Sequence, residues 1–173
     1  WYFIVVGVQA LSLTFPFSQA MSVTRRDYFL GTLATFILFS LAFGVVFLVL
    51  ALIEQATSGW GVDTLVFAIP WLLNTGWLAM ILSVAALALV MFLIGLWMAT
   101  IYKRWGTVVI VAISLGLGLV LVGVIALITY FQWWPAVLTW VVGQTPMSVA
   151  GWLLILIVAL SSGSFLTLRK VTT

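Results

Sequence analysis

Apolar residues run in long blocks along this chain, and the few ionisable residues fall between the blocks. Charge-free stretches rich in Leu, Val, Ile, Phe and Ala cover residues 29–53, 77–101, 107–131 and 149–168, and a shorter one covers 1–15. Crossing a hydrocarbon core takes about 20 apolar residues in a helix, so the four long stretches are predicted to span a membrane. None of them carries the polar face that a helix needs to meet water. The pattern predicts an all-α polytopic membrane protein: a helical bundle in one transmembrane domain, with about five visible spans of a six-span domain.

The first block is interrupted at Pro16, and about 15 residues are too few to cross. It begins with Trp and has no basic n-region, which argues against a signal peptide. The expectation is a span whose beginning lies outside the chain. Thr24 followed by Asp27 matches the [ST]-x-x-[DE] capping box and predicts a helix start near Arg25. Gly106 directly after Tyr102-Lys103-Arg104-Trp105 predicts a left-handed cap and a tight turn between two spans. Two other connections look interfacial or re-entrant. Leu65–Leu73 is broken by Pro70, and Ala136–Val142 lies between Pro135 and Pro146; both are too short to cross.

Charge adds the orientation. Only nine residues are charged: six Lys or Arg and three Asp or Glu. The cations form three pairs, Arg25-Arg26, Lys103-Arg104 and Arg169-Lys170, at alternate ends of successive spans. Basic residues gather on the cytoplasmic side, so these loops and the C-terminus are expected inside, in a multi-pass protein of the cell membrane. The aromatic residues agree. Trp60, Trp71, Trp77, Trp133, Trp134, Trp140 and Trp152 fall outside, and Tyr28, Tyr102 and Trp105 inside, consistent with belts at headgroup depth.

Composition also excludes chemistry. The chain has no Cys and no His, which removes thiolate sites, Cys nucleophiles, the commonest metal ligand and the usual general base. No Gly-rich phosphate loop follows a predicted strand, and no basic run is long enough to track nucleic acid. No charge lies mid-span, which argues against ion-coupled transport and against a channel lined by a charged ring. Glu54 and Asp63, in one outer segment, read as solvated loop charges rather than catalytic groups. We therefore expect no enzyme, no cofactor, no metal and no nucleic-acid partner. Small residues four apart, Ser40/Gly44, Gly95/Ala99, Ser114/Gly118 and Ala159/Gly163, allow close helix approach, either within the bundle or at a dimer interface.

The stretch LSLTFPFSQAMSVTRRDYFLGTLATF resembles a segment of the membrane subunits of bacterial type-two ATP-binding-cassette (ABC) exporters. In those permeases a short cytoplasmic element of similar make-up joins the second and third spans. Tyr102-Lys103-Arg104-Trp105-Gly106 is similar to the family's basic turn between its fourth and fifth spans. The resemblance is detailed over residues 11–36 and 102–106, and elsewhere is one of topology. It implies that the chain supplies spans two to six of a permease. That permease would form a translocation pathway as a homodimer or with a similar chain, in contact with membrane lipid. It implies further that Ser22, Val23, Thr24, Arg25, Arg26, Asp27 and Tyr28 dock on a separate ABC ATPase subunit, the arginines facing its acids. ATP hydrolysis would belong to that partner. Plain positive-inside anchoring accounts for the same arginines, and a non-transporting scaffold or accessory subunit is the alternative function.

Overall fold

The computed structural model describes residues 1–168, without the side chains of Val62 and Asp63; the Arg169-Lys170 pair lies outside the described residues. The elements in order are α1 (Tyr2–Gln9), a π-turn (Ala10–Thr14), α2 (Phe15–Ala20), α3 (Arg25–Ala56), a second π-turn (Gly59–Asp63), α4 (Pro70–Leu73), α5 (Trp77–Tyr130), α6 (Trp134–Val142) and α7 (Pro146–Leu168). The described residues contain no strand. Four helical stretches, Tyr2–Ala20, Arg25–Ala56, Trp77–Tyr130 and Pro146–Leu168, are long and apolar enough to cross a membrane. The architecture is compatible with a membrane-embedded, polytopic protein.

The first helical stretch does not stop at Pro16. It continues to Ala20 as one 19-residue run. Proline removes a backbone donor and crowds the preceding turn. The π-turn just before it opens the helix, and Pro16 then sits in the first turn of α2, where a missing N–H costs least.

α5 is one continuous element only in name. Gly106, at φ 79° and ψ −174°, breaks it into arms 77–105 and 107–130. The sequence suggested an αL cap here. The extended ψ is instead a conformation open essentially to glycine alone, and one residue reverses the chain. That the chain reverses follows from its contacts. Lys103 reaches Leu11 at one end of the bundle. By residue 144 the chain is back at the other end, where the Trp71 indole N–H donates to the Gln144 carbonyl at 3.0 Å and the Ser83 hydroxyl donates to the Pro146 carbonyl at 2.8 Å. One end of the bundle is therefore basic and the other rich in tryptophan.

The 77–105 arm is the centre of the molecule and packs against α1, α3 and α7. Phe92, Leu93 and Leu96 of this arm join Leu11, Phe15, Phe29, Leu160 and Leu168 in the main core. Glycines set the crossings. A Cβ on Gly95 would stand 2.0 Å from the Ile4 carbonyl oxygen, and one on Gly7 would stand 2.2 Å from that of Phe92. A Cβ on Gly44 would meet the Ile81 carbonyl oxygen at 2.6 Å, and Gly163 faces the Trp97 indole. Three of the four small-residue pairs thus close contacts inside this chain. The fourth does not: a Cβ on Gly118 would meet nothing within 4 Å, and no residue of the 107–130 arm is buried.

At the tryptophan end, residues 57–76 fold back over α3 and α5. Ala68 and Leu72 are buried against Leu48, Ala51 and Met80 in a second, smaller core. Leu65–Leu73 is thus a loop capped by the single turn α4, whereas the stretch around Ala136–Val142 forms the exposed helix α6.

Candidate functional site

The helix start at Arg25 follows the capping-box chemistry. Thr24, in extended conformation, accepts from the Asp27 backbone N–H at 3.2 Å, and its hydroxyl donates to the Asp27 carboxylate at 2.6 Å. The turn before it is tight. Ser22 has φ +59°, and the Val23 N–H donates to the Ser18 carbonyl at 3.1 Å. The Gln19 side-chain amide donates to the Val23 carbonyl at 3.1 Å. Ser22, Val23, Thr24, Arg26 and Asp27 are exposed and Arg25 is half-buried, so a rigid basic knuckle protrudes between α2 and α3. Tyr28, the last residue of the motif, points the other way and is buried.

Tyr28 ties the knuckle to the first helical stretch. Its hydroxyl donates to the Ala10 carbonyl at 2.5 Å and lies 2.9 Å from the Thr14 hydroxyl, which itself donates to Ala10. Its ring meets Phe15 edge-on at 5.1 Å. Lys103 joins from α5: its ammonium donates to the Leu11 carbonyl at 2.8 Å and lies 5.4 Å from the centre of the Phe15 ring.

The sequence dictates why Leu11 needs an outside donor. In the π-turn the Phe15 N–H goes to the Ala10 carbonyl, five residues back. The next donor in that register would be residue 16, which is proline and has none. The Leu11 carbonyl is left orphaned in a residue with no solvent exposure, and Lys103 supplies the missing proton. Removing a partner from a buried acceptor costs about 1–3 kcal/mol. Lys103→Met is therefore expected to lower the thermal midpoint of the purified protein. Tyr28→Phe should have a smaller effect, because Thr14 still serves Ala10. A melt followed by tryptophan fluorescence checks both; equal midpoints for wild type and Lys103→Met would contradict the orphan-carbonyl account.

Glu54 differs from its sequence reading as a solvated charge. It is fully buried, with 0% exposure, at the end of α3. Its Oε1 accepts from the Trp60 indole N–H at 3.0 Å and the Val66 N–H at 2.8 Å. Its Oε2 accepts from the N–H groups of Phe67 at 2.7 Å and Ala68 at 2.5 Å. All four partners are donors, which suits a carboxylate that only accepts. The left-handed Ser58, Gly59, Trp60 and Gly61 turn the chain so that the indole reaches back. Nothing at position 54 signals this role in sequence, because three of the partners are backbone groups 12 to 14 residues ahead.

Among the described residues, no three His, Cys, Asp or Glu side chains come together as metal ligands. No protein-family model matches the chain, and no curated protein or solved structure matches it either.

Proposed function

We propose that this chain is the permease subunit of an ATP-driven ABC exporter, a multi-pass protein of the cell membrane with its basic end in the cytoplasm. The observation that carries the reading is the protruding knuckle at residues 22–27. It offers a partner two arginines on a short, hydrogen-bonded turn. Through Tyr28 it is fastened to the π-turn of the first helical stretch, and that stretch is fastened to α5 by Lys103. A partner that grips and moves the knuckle would move both helices. Hydrolysis would belong to the partner, a soluble ATPase. The 107–130 arm, unburied within its own chain, would face a second copy or a similar chain across the translocation pathway.

The test is purification of the full-length protein from its native host in mild detergent. A soluble ATPase at equal stoichiometry is the expected companion. The double variant Arg25→Glu, Arg26→Glu is expected to lose that companion and all stimulated hydrolysis while keeping its helical content. Normal coupling in the double variant would remove the docking assignment. Recovery of the wild-type chain without any ATPase would favour a membrane scaffold.

A further inference from the structure

Two neighbouring carbonyls in the first π-turn are served unequally. The Ala10 carbonyl accepts from three donors: the Phe15 N–H and the hydroxyls of Tyr28 and Thr14. A carbonyl oxygen has two lone pairs, so one donor is in excess. The Leu11 carbonyl depends on the Lys103 ammonium, 2.8 Å away on another helix. Each π bond reaches back five residues rather than four, so one carbonyl is skipped where the turn ends. Here it is that of Leu11. If the turn began and ended one residue earlier, the Phe15 N–H would bond Leu11 at the ordinary α-helical spacing of four. The skipped carbonyl would then be that of Ala10, and the Tyr28 and Thr14 hydroxyls already stand on it. A step in the other direction has no donor, because residue 16 is proline.

We propose that the first helical stretch is a two-register switch, with Lys103 as the latch of one register and the Tyr28–Thr14 pair as the latch of the other. In the latched register, the one described above, Lys103 serves Leu11. In the stepped register the Phe15 N–H takes its place and the ammonium is released. What ordinarily forbids such a step is an unpaired carbonyl in a buried segment. Here each register has a side chain in position for the carbonyl it skips. The flanks need not follow the step. Gly7 is locked on the backbone of α5 and Phe15 is buried in the main core, so the extra residue moves between two fixed ends. The switch joins the knuckle to the Gly106 joint, since Tyr28 follows the knuckle directly and Lys103 lies three residues before Gly106. A force that presses Tyr28 onto Ala10 favours the stepped register and frees Lys103; one that withdraws Tyr28 favours the latched register. The switch needs no partner and is independent of the exporter reading.

The test is nuclear magnetic resonance of the full-length protein in mild detergent, without any ATPase. Leucine carbonyls carry ¹³C and serine amides ¹⁵N, so that in this chain the paired signals come from residues 11–12, 82–83 and 160–161. The signal missing in Ser12→Ala reports the Leu11 carbonyl. In Lys103→Met that carbonyl is expected to keep its hydrogen-bonded shift, because the Phe15 N–H takes over. A fixed register would leave it at the free value. Adding Thr14→Val and Tyr28→Phe to Lys103→Met removes the second latch, so the stepped population should fall about fivefold and the shift should move to the free value. Thermal midpoints give a second reading. The Thr14→Val, Tyr28→Phe pair should lower the midpoint about twice as far in the Lys103→Met background as in wild type, since only that background relies on the stepped register. A free Leu11 carbonyl in Lys103→Met alone would overturn the proposal, even where the triple variant does not fold. A hydrogen-bonded shift retained in the triple variant, which assigns the bond to water, or equal midpoint losses in the two backgrounds would overturn it as well.

Discussion

Gly95→Val is expected to abolish the packed form of the bundle. At this crossing the central arm of α5 lies backbone to backbone on α1. The added Cβ would stand 2.0 Å from the Ile4 carbonyl oxygen, 2.8 Å from its carbonyl carbon and 3.0 Å from its Cα. Overpacking usually costs about 1–3 kcal/mol, but that range describes side chains able to rotate away. Here the obstacle is main chain, so relief requires the helices to separate. Separation opens the contacts of Leu11, Phe92, Leu93 and Leu96 in the main core. Gly7→Val should fail for the same reason from the opposite side, with the Leu96 nitrogen at 2.8 Å as well. Gly118→Val is the control, since its Cβ would touch nothing within 4 Å. Size-exclusion profiles and thermal melts in detergent check the set. A monodisperse Gly95→Val protein with the wild-type midpoint would mean that the crossing is not as close as described.

Glu54→Gln is expected to release the 57–69 segment from the tryptophan end. The substitution is nearly isosteric, yet it replaces one acceptor oxygen with an NH₂ donor. Whichever way the amide turns, the NH₂ faces two donors. In one orientation they are the Trp60 indole and the Val66 N–H, in the other the N–H groups of Phe67 and Ala68. Hydrogen exchange at Val66, Phe67 and Ala68 should quicken by about tenfold or more, as local opening replaces a closed state. Amides in the middle of α3 should keep their protection. Unchanged exchange at all three positions would show that the carboxylate does not hold the loop.

The parts of this architecture legible in sequence were those set by local chemistry. Thr24 and Asp27 announced the start of α3 because a cap uses neighbours three residues apart. Gly106 announced a reversal because positive φ is cheap for glycine, although its ψ differs from the expected cap. Gly95 stood out through its spacing from Ala99, while its counterpart Gly7 did not, because the residues four away from it are Phe3 and Leu11 rather than small ones. Pro16 misled for an instructive reason. Its lost donor predicts a break only if no group elsewhere replaces it, and Lys103 lies 92 residues beyond the Leu11 carbonyl that it serves. Glu54 was opaque for the same reason. A carboxylate among apolar residues and turns reads as solvated unless the downstream backbone is known to fold back over it. The knuckle at 22–27 was legible as basic and exposed, and the burial of Tyr28 beneath it was not.

Gly106 also has a mechanical consequence. It is the single joint between a braced arm and an unbraced one, and the unbraced arm is 24 residues long by its bounds, 107 to 130. At 1.5 Å per residue that is a lever of about 36 Å, and a rotation of about 10° at its pivot would sweep the far end through about 6 Å. Lys103 lies three residues before the pivot and is clamped to the first helical stretch. A small angular adjustment at the basic end would therefore be converted into a displacement of several ångströms at the tryptophan end.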